Sequence, residues 1–187
     1  MKIKGTGVIN LRDYIKEYYP DMYEEWVERL SARSSYIFSN VIFNTQWYDL
    51  TDSVLEPSKV GAEMFMGGDY DKFLFETGKY NGNVVLNGIY RFFIKMSSFE
   101  YVMDKASLIF ETYYSEGGIS VRMTEPIEVE LKGFRRSEQK WIVNISGWIY
   151  SLYRLVTRGK KEFEVSREIE EDTVSDYIVG KIFIKNL

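Results

Sequence analysis

Neither cysteine nor histidine occurs anywhere in the 187-residue sequence. That pair of absences removes whole classes of chemistry. There is no disulfide framework, no thiol nucleophile, no thiolate or imidazole site for zinc and no histidine-ligated haem. Serine-histidine-aspartate triads and histidine general bases go with them. Catalysis would have to rest on carboxylates, lysine, tyrosine or a metal held by oxygen, and no such residues are spaced to name a catalytic set. The reading is therefore of a chain that is not an enzyme and carries no cofactor. No apolar run approaches the roughly 18 to 20 residues of a membrane span, and Met1 to Lys4 lacks the apolar core of a signal peptide. A cytoplasmic location is the expectation. Basic residues are no excess either: 24 Lys and Arg against 28 Asp and Glu leave a formal charge of −4, which argues against nucleic acid or an anionic membrane as partner.

Aromatic residues are abundant instead. At 17%, with 15 Tyr and 12 Phe, they suit a bulky core, a flat apolar pocket or a sticky interface, and composition does not choose among these. With 45% hydrophobic and 28% charged residues, the chain fits one domain spanning 1–187.

The apolar spacing predicts a helical half, 1–116, followed by ββαββ over 117–187. Met1 to Lys4 reads as extended, with Gly5-Thr6-Gly7 as a separator and Asn10 as the cap of a first helix that Pro20 stops. A second helix carries Tyr23, Trp26, Val27 and Leu30. From Ser31 to Thr51 periodicity fails, and a packed, partly extended loop is expected. Helical patterns return over 52–66, around Pro57, and over 69–80 and 84–96. The glycines at 78, 82 and 88 each weaken helix propensity by about 1 kcal/mol relative to alanine, which points to close packing against another backbone, the commoner reason, or against a ligand.

Ser97 to Gly118 reads as one long helix. Ser97 and Glu100 have capping-box spacing, and Phe99, Val102, Met103, Ala106, Ile109, Phe110 and Tyr113 form its stripe. Tyr101 and Leu108 project opposite that stripe, so a second cover is expected there, either the long loop or a partner chain. Ile119, Val121 and Met123, then Ile127, Val129 and Leu131, alternate as a hairpin. A helix follows from about Ser137 to Arg158, with Trp141, Ile142, Ile145, Trp148, Ile149 and Leu152 on one face and Gly159 as its left-handed cap. Phe163, Val165 and Ile169 mark the inner face of a third strand. The fourth, about Tyr177 to Lys185, is apolar enough to lie centrally. The whole is an α+β domain with an N-terminal helical half packed on a four-stranded antiparallel sheet.

Two charged clusters are weighed as sites. The glutamates at 162, 164, 168 and 170 read as a solvated strand face rather than a cation site. Lys132, Arg135, Arg136 and Lys140 around Gly133-Phe134 form a candidate anion site, with surface decoration as the plainer reading.

The element order, Trp47-Tyr48 before a helix, Gly88-Ile89-Tyr90-Arg91-Phe92-Phe93, Tyr113-Tyr114, Leu131-Lys132-Gly133-Phe134 and Gly147-Trp148 together resemble one superfamily. It joins 4-vinyl reductase domains, haem-NO-binding (H-NOX) domains and Bet3-type vesicle-tethering subunits, and the nearest likeness within it is to uncharacterised paralogous proteins of myxobacteria. The departures matter as much. Met103-Asp104-Lys105-Ala106-Ser107 resembles the segment that carries the proximal histidine of haem-NO-binding domains, and the position falls on Ser107. The tyrosine-serine-arginine motif for the haem propionates has no convincing copy, and the cysteines with which some relatives bind zinc are missing. The resemblance thus implies a haem-free and metal-free binding or sensory module for an apolar or aromatic small molecule, or an acyl chain. The candidate ligand-binding residues are Phe93, Met103, Ser107, Phe110 and Trp141, between the 97–118 helix and the sheet. The alternative is a structural homodimer or adaptor using Tyr101 and Leu108 as its interface.

Overall fold

Strand β1 (Lys2–Lys4) and strand β2 (Trp47–Asp49) form a small antiparallel ladder at the head of a computed structural model that describes residues 1–87, 98–171 and 174–187. Lys4 lies opposite Trp47 and holds its ammonium 3.9 Å above the indole. Helix α1 (Gly5–Tyr18) starts directly after β1, so Gly5-Thr6-Gly7 is its first turn and not a separator. The reason is steric. A side chain on Gly5 would fall on the carbonyl of Phe43, while the Gly5 amide donates to Gln46 O at 2.8 Å. Backbone contact with the 41–46 segment thus offsets the helix penalty of glycine. Asn10 does not cap this helix either: it is buried within it.

Pro20 opens a short 3₁₀ turn, Pro20–Met22, that leads into α2 (Tyr23–Arg29). The expected loop over 31–51 contains a helix, α3 (Ala32–Phe38), capped by the Ser31 hydroxyl and anchored by Phe38 packed edge-on against Trp26. A π-helical turn, Thr51–Leu55, runs into α4 (Glu56–Phe65), where Pro57 occupies the first turn. The two patterns over 69–80 and 84–96 begin as one continuous helix, α5 (Tyr70–Asn87). The rest of the second pattern, with Gly88, Ile89, Phe92, Phe93 and Ser97, lies outside the described residues.

The expected long helix is two short ones, α6 (Phe99–Met103) and α7 (Ala106–Tyr113). Ser98 caps α6, accepting the Tyr101 amide, and Lys105 N–H bonds to Val102 O, a tightened i→i+3 contact that ends it. The break re-aims the stripe: Phe99 meets the Tyr153 ring at 4.9 Å, whereas Phe110 turns to Phe134 at 6.1 Å.

Strands β3 (Gly118–Arg122) and β4 (Ile127–Arg135) form the expected hairpin, with Ile119 opposite Leu131 and Val121 opposite Val129. Helix α8 (Trp141–Val156) ends at Gly159, which takes φ 63° as its cap. Strands β5 (Phe163–Glu171) and β6 (Tyr177–Asn186) complete a four-stranded antiparallel sheet of order β3-β4-β6-β5. Strand β6 is therefore central, as its two-faced apolar pattern requires. On β5, Phe163 and Val165 pack against the core, but Ile169 is 37% exposed, so the inner face is shorter than the alternation implies.

Backbone contact joins the halves. Side chains on Gly78 of α5 and Gly147 of α8 would fall on the carbonyls of Asn144 and Phe75, so only glycine lets these helices approach so closely. One cluster of buried apolar residues continues from Ile3 and Val8 through Phe73 and Leu74 to Ile149, Ile178 and Ile182.

Candidate ligand site

A cavity of about 90 Å³ lies where α1, α5, α7 and α8 meet β3. Ile3, Met103, Ala106, Ile109, Phe110 and Ile119 form one apolar wall, and Trp141, Ile145, Trp148 and Ile149 of α8 form the other. Each wall follows from periodicity. Met103 and Phe110 sit on the inward stripes of α6 and α7, and Trp141, Ile145, Trp148 and Ile149 recur at the three- and four-residue spacing of one helix face. None of the described lining residues carries an ionised side chain.

The polar groups among the described lining residues are three carboxamides and two phenols: Asn10 on α1, Asn81 on α5, Asn144 on α8, and Tyr113 and Tyr114 at the end of α7. Asn144 is satisfied, its amide donating to Leu74 O at 3.1 Å and to Thr77 Oγ1 at 3.0 Å. The Tyr114 hydroxyl accepts the Trp141 indole N–H at 2.9 Å. Burial pushes the Tyr114 phenol up, well beyond the indole bond's opposing pull, so it stays neutral at physiological pH. Asn10 and Asn81 differ. Asn10 is 6% exposed and its carboxamide has no hydrogen-bond partner among the described residues. Asn81 Oδ1 is buried and equally unpaired. Burying a carbonyl without a donor costs about 1–3 kcal/mol, so a ligand or water that supplies one is favoured there.

Of the residues expected at a ligand site, Met103, Phe110 and Trp141 are brought together in this cavity. Ser107 is not among the lining residues: it is exposed on α7, and its hydroxyl donates to Ile119 O at 3.2 Å. Phe93 is outside the described residues. Tyr101 and Leu108 stand on the surface, 57% and 65% exposed, and the 31–51 segment does not cover them. The carboxamides were missed by sequence reasoning, although a signal existed. Asn144 interrupts the apolar face of α8 between Trp141 and Ile145, and Asn10 sits next to Leu11 in the otherwise apolar stripe of α1.

The other clusters resolve as surface. Of the four basic residues, Lys132, Arg136 and Lys140 meet Glu130, Glu171 and Asp71 respectively, whereas no carboxylate pairs with Arg135 among the described ion pairs. Glu164, Glu168 and Glu170 are exposed along β5, with Glu170 paired to Lys181. No group of acidic residues able to hold a metal is present among the described residues.

No protein-family model matches the sequence, and no curated protein matches it. Solved structures do. A Cs H-NOX mutant carrying 4-cyano-L-phenylalanine superposes with TM-score 0.73 at 16% identity over 98% of this chain and 96% of that one. A point mutant of T. Tengcongensis H-NOX gives 0.73 at 16% identity, over 98% and 97%. The Fe(II) unliganded H-NOX protein from K. algicida gives 0.69 at 11% identity, over 98% and 96%. The chain has an H-NOX-like fold. Within this H-NOX-like arrangement the cavity occupies the junction of the helical half and the sheet.

Proposed function

We propose that this protein is a non-catalytic small-molecule-binding or sensory module that works without haem. The observation that supports it is the apolar cavity at the helix–sheet junction of an H-NOX-like fold, open in part and with no ionised side chain among its described lining residues. Its size favours a compact apolar or aromatic ligand over a long acyl chain. The reading takes 1–187 as one domain in the cytoplasm; among the described residues no helix is long and apolar enough to cross a membrane. Wider kinship with 4-vinyl reductase domains, Bet3-type subunits and myxobacterial paralogues rests on the sequence motifs alone.

Haem calls for a separate test, since two further superposing structures are described by their haem or porphyrin distortion. The residues here do not fit it. The chain supplies no imidazole and no thiolate. Among the described cavity residues only Met103 and the phenols of Tyr113 and Tyr114 could meet iron, and the Tyr114 phenol is held neutral rather than activated as a phenolate. A tetrapyrrole also needs at least the roughly 300–1,000 Å³ of an ordinary cofactor pocket, against about 90 Å³ here.

The test is native mass spectrometry of the purified chain, with fluorescence titration of Trp141 and Trp148. A small adduct lost on denaturation, or saturable quenching by small aromatic compounds, is expected. A chain that is empty and silent to every such compound would end this reading. The second reading, a homodimeric adaptor, is favoured by the exposure of Tyr101 and Leu108 on consecutive helices, and light scattering separates the two.

A further inference from the structure

The cavity's unpaired carboxamides carry the reading of it as a ligand site one step further. We infer that the site selects a small, neutral, planar molecule with an N–H donor beside an acceptor, read by Asn81 and Asn10, and this rests on the binding-module reading above.

Three observations converge. No described lining side chain is ionised, so among these residues a charged ligand would be desolvated without a counter-charge. Neutral ligands are what such a wall admits. Asn81 Oδ1 is buried and unpaired, so it needs a donor from whatever fills the space. Asn10, on the neighbouring helix, offers an amide donor and a second acceptor, both unused among the described residues. An apolar ligand would leave these groups as they are, whereas a donor–acceptor edge satisfies both at once. Size and shape complete the argument. About 90 Å³ is smaller than the roughly 150 Å³ cavity that takes benzene, and the facing surfaces are the rings of Trp141, Trp148 and Phe110. A five-membered azole or a compact amide matches that volume and flatness.

Pyrazole and isoxazole make the test, because the rings are nearly the same size and differ in that an oxygen replaces the N–H. Calorimetry on the full chain is expected to give pyrazole at least about tenfold tighter binding, the worth of one donor to a buried acceptor. In Asn81→Leu that preference should fall to within about twofold. The wild-type comparison stands alone if that variant does not fold. A crystal soaked in pyrazole should place the ring N–H on Asn81 Oδ1. If xenon enters the cavity under pressure while the two azoles bind equally or not at all, the selection by carboxamides is overturned and the binding reading survives. If ordered waters bridge Asn10 and Asn81 and neither xenon nor either azole displaces them, both fall.

Discussion

Gly117 and Gly133 face each other across the start of the sheet, each at φ 91°. A Cβ on Gly133 would fall on the Cα of Gly117, and one on Gly117 on the carbonyl of Lys132. Both left-handed strain and backbone overlap therefore oppose any side chain. Gly133→Ala is expected to cost about 2–5 kcal/mol, combining strain and overpacking, whereas Gly67→Ala, at φ 60° with open space around it, should cost only about 1–2 kcal/mol. Urea unfolding of the two variants checks the contrast. Tyrosines set a second residue-scale expectation. Burial, with nearby carboxylates and phenols assisting, raises the pKa of Tyr14, Tyr70 and Tyr80, and burial raises that of Tyr114. Each folded value lies above the unfolded one, so the neutral phenol contributes stability that is complete below about pH 10 and is lost as the pH rises beyond it. Thermal midpoints should hold steady up to about pH 9 and then fall steeply. Tyrosinate absorbance should lag behind free tyrosine and jump with unfolding; a titration in which all phenols ionise near pH 10 in the folded state would contradict this.

Helices α5 and α8 meet backbone to backbone, and their contact also fixes the distance between Asn81 and Asn144 in the cavity wall. Gly147→Ala drives a methyl into the Phe75 carbonyl, so it should destabilise by about 1–3 kcal/mol and, because the helices must part, shift the emission of Trp148 at the same time. Thermal melts and fluorescence spectra of that variant read both effects, and a stability loss with unchanged emission would separate the helix contact from the cavity. The glycines at 78 and 82 announced this packing in the sequence, because a repeated helix penalty needs a reason. The hairpin and α8 were legible for the same kind of cause: period-two and three-to-four spacing persist over their whole length. Where several interactions compete, the sequence misleads. Gly5-Thr6-Gly7 looks like a break until the 41–46 backbone is seen resting on it, and α3 is only one face of contact with Trp26, too short for periodicity to register. The 97–118 stripe is continuous in sequence, yet a tightened turn at Lys105 splits it between two partners. At the site, Met103, Phe110 and Trp141 were readable as apolar stripe residues. Asn10 and Asn81 were not, since a carboxamide on a stripe acquires meaning only when its partners are counted.

Across the whole molecule, the sheet's outer face carries ion pairs such as Arg122–Glu128 and Lys181–Glu170, while exposed aromatic and aliphatic side chains such as Tyr36, Val41, Tyr101 and Leu108 stand on the helical half. The surface that the adaptor reading uses is at α6 and α7, where Tyr101 and Leu108 are exposed while Met103, Ala106 and Phe110 of the same helices line the cavity. This separation of faces lets the two functional readings be tested independently in one variant. Tyr101→Lys combined with Leu108→Glu removes apolar surface without touching the core, so stability should change by no more than about 1 kcal/mol, the sum of two ordinary surface substitutions. The binding reading expects the variant to keep its mass in light scattering and its tryptophan response to small ligands. A wild-type dimer that the double substitution halves in mass, with no ligand response in either form, would transfer the function from the cavity to the helical surface.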